Sequence, residues 1–265
     1  MNRSSRASML LTAFCLAWML PASAALESTE DIIQCMTAHV PQQAFSLQVG
    51  LEAYEGDTLT QRVLLDVLGE LGPKGQLTLM TRTAAPYSGT AQRYLLRRDA
   101  SRSALHVLQP DWRRARQVPA DLRDATLWGT DVSLHELQEV VGLIPRSVVS
   151  RGQDATQDGR RLYVLDLRPA HGSPTRYARM EGRIDMATCL PVQLDLYGQD
   201  GALIKRLQAD LSQRSVEDGR LVVHSWTIQN MATPQRRTRI YLGDVRFDVN
   251  AHRPTSMDLR GLHHW

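Results

Sequence analysis

Apolar and polar positions alternate in short runs over residues 45–119: "FSLQVGLEAY", "QRVLLDVLGEL", "QLTLMTRTA", "QRYLLRR", "ALHVLQP" and "RRARQVP", with Gly, Pro or Asp between them. A period of two sends successive side chains to opposite faces of an extended backbone, so this spacing predicts antiparallel strands joined by hairpins. Arg113, Arg114 and Arg116 fall on the last of these strands, and Pro110-Asp111 supplies the turn before it. The second half repeats the pattern in "RLYVLDLRP", "RYARMEGRID", "PVQLDLYG", "ALIKRLQADLSQ", "RLVVHSWTIQN" and "RTRIYLGDVRFDV". Asp158-Gly159, Asp200-Gly201 and Asp218-Gly219 stand between runs, where both residue types tolerate the positive φ of a tight hairpin. In "PVQLDLYG", Val192, Leu194 and Leu196 face one way and Gln193, Asp195 and Tyr197 the other. The expected fold is mainly β (α+β): a strongly curved antiparallel sheet of about 11 strands, or an open barrel.

Two stretches follow a helical period instead. Residues 29–40 have Ser28 or Thr29 as cap, Glu30 and Asp31 in the first turn and Pro41 as the stop. Ile32, Ile33, Met36 and Val40 share one side, so this helix covers something apolar. In "SLHELQEVVGLIP", Ser133 and Glu136 form a capping box, Pro145 ends the segment, and Leu134, Leu137, Val141 and Ile144 make its apolar stripe. With no composition shift or low-complexity linker, residues 25–265 read as a single domain.

The amino terminus changes the picture by assigning a compartment. Arg3 and Arg6 precede an apolar run from Ala7 to Leu20, then Pro21 and the small residues Ala22-Ser23-Ala24, which is the pattern of a secretory signal cleaved after Ala24. Residues 1–24 therefore read as a signal peptide, and the mature protein as an exported one. The whole chain holds 31 Lys and Arg against 28 Asp and Glu. Processing removes two arginines, which leaves the mature chain nearly neutral and argues against nucleic acid as a partner. Lys74 and Lys205 are its only lysines. Two cysteines remain, Cys35 and Cys189, and in an oxidising compartment an even pair predicts a disulfide, with two buried thiols as the alternative. Closing that loop would contribute roughly 4 to 5 kcal/mol in the chain-entropy model.

Candidate chemistry is thin. "HELQE" approaches the zinc-protease motif but has Glu139 where the second histidine belongs, and neither cysteine has further ligands at zinc spacing, so no metal is expected. No nucleophile elbow, phosphate loop or dinucleotide fingerprint occurs, and the pattern predicts neither an enzyme nor a cofactor. His224 alternates with Trp226 and Ile228 along a strand, a core or cavity-wall position rather than a catalytic one. Arg113, Arg114 and Arg116 beside Trp112 read as a solvated sheet face, or as a contact for a partner or an anionic head group.

"DWRRARQV" at 111–118, "LWGTDVSLHELQEV" at 127–140, "CLPVQLDLYGQDGALIKRL" at 189–207 and the closing "RTRIYLGDVRFDV" with "TSMDLRGL" together carry a family resemblance. The mature chain resembles the outer-membrane lipoprotein-sorting proteins of the LolA-like superfamily, in particular a larger, uncharacterised proteobacterial branch. Val132 and Leu134 replace aromatic residues of the branch's turn, and Met257 stands where its C-terminal phenylalanine falls. The resemblance implies an unclosed barrel whose concave apolar face is covered by helices and receives an acyl chain. It implies a non-enzymatic periplasmic carrier, a monomer, moving a lipid or lipoprotein acyl chain toward the outer membrane or with an inner-membrane RND-type exporter. The alternative is a sensor or adaptor that uses the same fold to bind a membrane-protein partner. On this reading Ile33, Met36, Trp128, Leu134, Leu137, Val141, Ile144 and Trp226 are the cavity and lid candidates, and the two helices either move as lids or pack permanently.

Overall fold

Alternation in the sequence becomes one continuous antiparallel ladder in the computed structural model, which describes residues 26, 28–41, 44–72, 76–85, 91–99, 103–119, 122, 125–133, 136, 147–170, 175–247 and 256–265. After helix α1 (Thr29–Thr37) come β1 (Ala44–Glu55), β2 (Thr58–Gly72), β3 (Gln76–Ala85), β4 (Arg93–Arg98), β5 (Ser103–Leu108) and β6 (Arg116–Gln117). The second half holds β7 (Ser147–Arg151), β8 (Ala155–Gln157), β9 (Arg160–Pro169), β10 (Arg179–Asp185), β11 (Pro191–Tyr197) and β12 (Leu203–Ala209). The last strands are β13 (Arg214–Glu217), β14 (Arg220–Val223), β15 (Ser225–Asn230) and β16 (Arg236–Phe247), followed by a terminal helical turn, Gly261–His264. One sheet runs in the order β6-β5-β4-β3-β2-β1-β16-β15-β12-β11-β10-β9-β7, with β8 also on β9 and β13-β14 a separate hairpin. The ends of that path, β6 and β7, do not pair with each other, so among the described residues the curved sheet is not closed into a barrel.

The described residues form sixteen strands where the sequence pattern predicts about eleven. The surplus comes from pieces such as β6, β8 and β13, of two, three and four residues, which are too short to show a period. Arg113 and Arg114 lie in an exposed bend rather than on a strand, and only Arg116 and Gln117 pair with β5. Their run carries no apolar alternation to hold it against the sheet. Helix α1 is capped by Ser28, whose hydroxyl accepts from Asp31 N at 3.0 Å, and it stops at Thr37, short of the expected Val40. Asp158-Gly159 and Asp218-Gly219 each take two consecutive positive φ values, 51° and 75°, then 47° and 78°, as a two-residue hairpin turn requires.

The sheet has two chemically distinct faces. Leu51, Val63, Leu65, Leu165, Leu167, Met180, Leu196, Leu207 and Ile228 form a buried cluster on the inner face, under Ile32 and Met36 of α1. A second inner cluster joins Leu77, Leu96 and Leu105 to Val118 and Leu127. Phe45 lies over Gly69 between these regions; a Cβ there would stand 2.1 Å from the ring, so only glycine fits. The outer face of β9–β12 is a charge ladder: Asp166 meets Arg179, Arg179 meets Glu181 at 2.7 Å, and Arg206 meets Asp195 at 2.7 Å. The outer face of β2–β5 carries an apolar patch as well as the Asp66–Arg82 ion pair at 2.6 Å; in that patch Leu68, Met80, Leu95 and Leu108 are sealed by Leu262, with Met257 and Trp265 beside it. Arg97 and Arg93 donate to the Met257 and Trp265 carbonyls at 3.1 and 2.8 Å and hold that segment down. Cys35 of α1 is bonded to Cys189, across 154 residues of chain.

Candidate functional site

Packing of the inner face differs along its length. Against β7, β9–β12, β15, β16 and β1 the chain supplies its own filling: Ile32, Met36, Leu26, Val132, Tyr177 and Met186 all pack on the first cluster. Leu26 is held by its backbone as well, since its N–H donates to the Tyr163 hydroxyl at 2.7 Å and its carbonyl accepts from Arg151 at 2.8 Å. Against β2–β6 the described filling is thinner, and Leu71, Leu79, Tyr94 and Val107 stay half-buried. Burial pushes the Tyr94 phenol up to about 12.

The segment Leu127–Ser133 crosses the inner face between these regions. Thr126 and Ser133 bridge its ends, Leu127 N donates to Val132 O at 2.8 Å, and Thr130 N donates to Leu127 O at 2.8 Å. A polar network pins it. The Asp131 N–H donates to Thr238 Oγ1 at 2.8 Å, and Lys205 Nζ donates to Asp131 O and to Glu136 Oε1, both at 2.6 Å. Ser133 N donates to Glu136 Oε2 at 2.8 Å and Glu136 N to Ser133 Oγ at 3.2 Å, which completes the predicted capping box. The Tyr177 hydroxyl donates to the same carboxylate, and burial with the Glu136 charge beside it pushes that phenol far above its ordinary value. Lys205 and Glu136 are both almost wholly buried, so removing either one strands a charge in an apolar interior.

Among the predicted site residues, Met36 packs on the first inner cluster, Ile33 is half-buried and Trp128 touches both inner clusters. Trp226 packs with Leu190, Leu211 and Val223 at the end of the inner face that the β13-β14 hairpin covers. Leu134, Leu137, Val141 and Ile144 fall outside the described residues. Arg113, Arg114 and Arg116 are exposed beside the sheet edge, and the Arg116 guanidinium stacks 4.2 Å from the Trp112 ring centroid. Sequence reasoning missed Lys205 as the partner of Glu136. Its signal was position: in "ALIKRLQA" a lone lysine shares the inward parity of Leu207. His224 also forms a nucleophile-like pair, with Ser215 Oγ 2.5 Å from its Nε2. Ser215 donates to Glu217 at 2.6 Å, however, and His224 Nδ1 lies 2.7 Å from Leu242 O, so the pair ties β13 and β14 to β16.

An open, curved antiparallel sheet with an apolar inner face defines the LolA-like fold, and solved structures match it over most of the chain. A DUF1329 family protein from Desulfovibrio piger matches with a TM-score of 0.76 at 18% identity, over 88% of this chain and 96% of that one. A proposed outer membrane lipoprotein-sorting protein domain from Vibrio parahaemolyticus gives 0.72 at 16% identity, over 84% and 93%. A LolA superfamily protein from Nitrosomonas europaea gives 0.69 at 14% identity, over 84% and 94%. No curated protein matches the sequence. A family model described only as "-like: Uncharacterized protein" matches residues 75–253, about two thirds of the chain, and the chain belongs to that family.

Proposed function

We propose that the protein is a periplasmic carrier that holds an acyl chain of a lipid or lipoprotein on its inner face and does no chemistry on it. The observation that carries this reading is the half-buried apolar surface of Leu71, Leu79, Tyr94 and Val107 on a sheet that does not close, continuous through Trp128 with the half-buried Val49, Val67, Leu194, Ile204 and Ile240 of the first cluster. Each methylene moved from water onto such a surface contributes about 0.8 kcal/mol, so one acyl chain suffices for binding without a charged or catalytic group. On this reading residues 1–24 are removed after Ala24, residues 25–265 act as one monomeric domain, and cargo passes toward the outer membrane or with an inner-membrane RND-type exporter. Ile33, Met36 and Trp128 line the bound chain. Similarity to a lipoprotein-sorting domain and to a LolA superfamily protein supports the class of cargo.

A second reading, an adaptor for a membrane protein, draws on the edge strand β7, where Val148 is 66% exposed, and on the exposed Arg113, Arg114 and Arg116 beyond β5. Native mass spectrometry of the protein taken from a periplasmic extract separates the two. A co-purifying lipid is the expected result. A protein partner bound to lipid-free protein would overturn the carrier reading in favour of the adaptor.

A further inference from the structure

Two anomalies coincide at Trp128. Its backbone sits at φ 52°, in the left-handed region that glycine adopts freely and a bulky aromatic residue rarely does, and Gly129 follows at φ 72°. Its indole Nε1 is shielded from water and has no hydrogen-bond partner among the described residues. The loop cannot relax either feature, because the backbone bonds from Leu127 and Thr130 and the anchor from Asp131 to Thr238 fix it on both sides. The ring stands at the junction of the two inner clusters, edge-on to Tyr94 with centroids 5.6 Å apart and planes at 87°. The Tyr94 oxygen, its pKa raised by burial, lies near enough to the indole to be pulled slightly back down by it, but outside full hydrogen-bond geometry, and its own proton goes to Gln92 Oε1 at 2.6 Å, so the indole N–H is at best weakly engaged. Strain and an unmet buried donor are each unfavourable, and in folded proteins both concentrate where a ligand completes the site.

We propose that Trp128 Nε1–H is the polar handle of the acyl-binding face, donating to the carbonyl oxygen of an acyl ester or amide whose hydrocarbon tail lies along the inner face. This rests on the carrier reading above and adds the head chemistry of the cargo. An uncharged carbonyl fits better than a free carboxylate, because Lys205 is engaged with Glu136, Arg236 with Asp131 at 3.6 Å, Arg98 has a partner, and Arg176 is stacked on Tyr177 in the first cluster. A carboxylate brought here would lose its hydration and gain no counter-charge. A carbonyl needs one good donor, and Trp128 has one to give.

The test is displacement of the fluorescent probe N-phenyl-1-naphthylamine from the mature protein by methyl laurate, N-methyl lauramide, lauric acid and tridecane. Wild type is expected to bind the ester or the amide more tightly than lauric acid or tridecane. The tighter of the first two identifies a glycerolipid-like or an N-acyl lipoprotein-like source. Trp128→Phe should weaken that carbonyl ligand roughly tenfold, about 1.4 kcal/mol, and tridecane, which loses only apolar contact with the ring, by several-fold less. An unchanged carbonyl affinity, an equal loss for tridecane, or a wild-type preference for lauric acid would each overturn the handle while leaving the carrier reading standing. Displacement by none of the four ligands would overturn both. Because the variant could fold poorly, the indole ¹⁵N–H resonance of Trp128 in the unmutated site provides a second readout, assigned by elimination with Trp112→Phe, Trp226→Phe and Trp265→Phe. It should move downfield with methyl laurate and stay in place with tridecane; no movement with the ester overturns the proposal.

Discussion

The region built from β7, β9–β12, β15, β16 and β1 and the region built from β2–β6 share one ladder and solve burial differently. In the first, α1, Leu26 and Val132 pack on the inner face, a buried Lys205–Glu136 pair crosses it, and the outer face is a largely buried charge ladder. In the second, each face carries an apolar patch; the outer one is sealed by Leu262 and the inner one keeps Leu71, Leu79, Tyr94 and Val107 half-buried. Among the described residues more apolar side chains are fully buried in the first region, although Val49, Val67, Leu194, Ile204 and Ile240 stay half-buried there as well. The contrast teaches that one continuous sheet can be packed differently at its two ends by what is laid on it.

The comparison can be broken at several points. Replacing Cys35 and Cys189 by serine should destabilise the protein most, by about 4 to 5 kcal/mol in the chain-entropy model for a loop this long, read as a lower urea midpoint. If acyl binding survives in the serine variant under native conditions, α1 is scaffold; if binding is lost first, α1 belongs to the cargo site. Lys205→Met should cost about 3 to 5 kcal/mol by stranding Glu136, and adding Glu136→Gln should recover most of it. Recovery failing in the double variant would mean that the ion pair contributes through more than its charges. Leu262→Ala should cost about 2 to 4 kcal/mol, since that side chain is fully buried, and leave ligand affinity unchanged.

Leu165→Ala and Leu79→Ala sharpen the contrast directly on the inner face. The first should lower the melting temperature markedly and the second by little, under about 1 kcal/mol, while only the second weakens laurate-ester binding several-fold. Equal thermal effects would place Leu79 in fixed packing. The smallest effect concerns His106 on the outer face of the second region, whose pKa burial and Arg97 hold below the ordinary imidazole value. The unfolded chain then binds a proton at higher pH than the folded one, so stability is complete above about pH 6.5 and falls as pH drops toward the folded value. His106→Gln should flatten that acid limb in urea titrations between pH 7 and pH 5.

The strands were legible because side-chain alternation is a local signal, and the Ser133–Glu136 box was legible because three residues separate its partners. Lys205 and Glu136 lie 69 residues apart, and no spacing rule pairs them. Trp128 was marked by "LWGTD", yet its left-handed backbone was not, because the following Gly129 would have satisfied a tight turn without help. Seating of the C-terminal segment on the outer face had a faint trace in "YLL" of β4 and "LTLM" of β3, where apolar side chains point both ways. A strand apolar on both faces states that something covers each, and says nothing of which segment does.

That covering has a mechanical meaning. A single sheet flexes easily about its strand axes, as paper does, whereas two bonded plies resist, because any change in radius must slide one ply over the other. With Leu262 keyed among Leu68, Met80, Leu95 and Leu108, the wall formed by β2–β5 is such a laminate and turns as one stiff panel. Any change in the girth of the sheet must then come from its other strands, since its end strands β6 and β7 are not tied to each other.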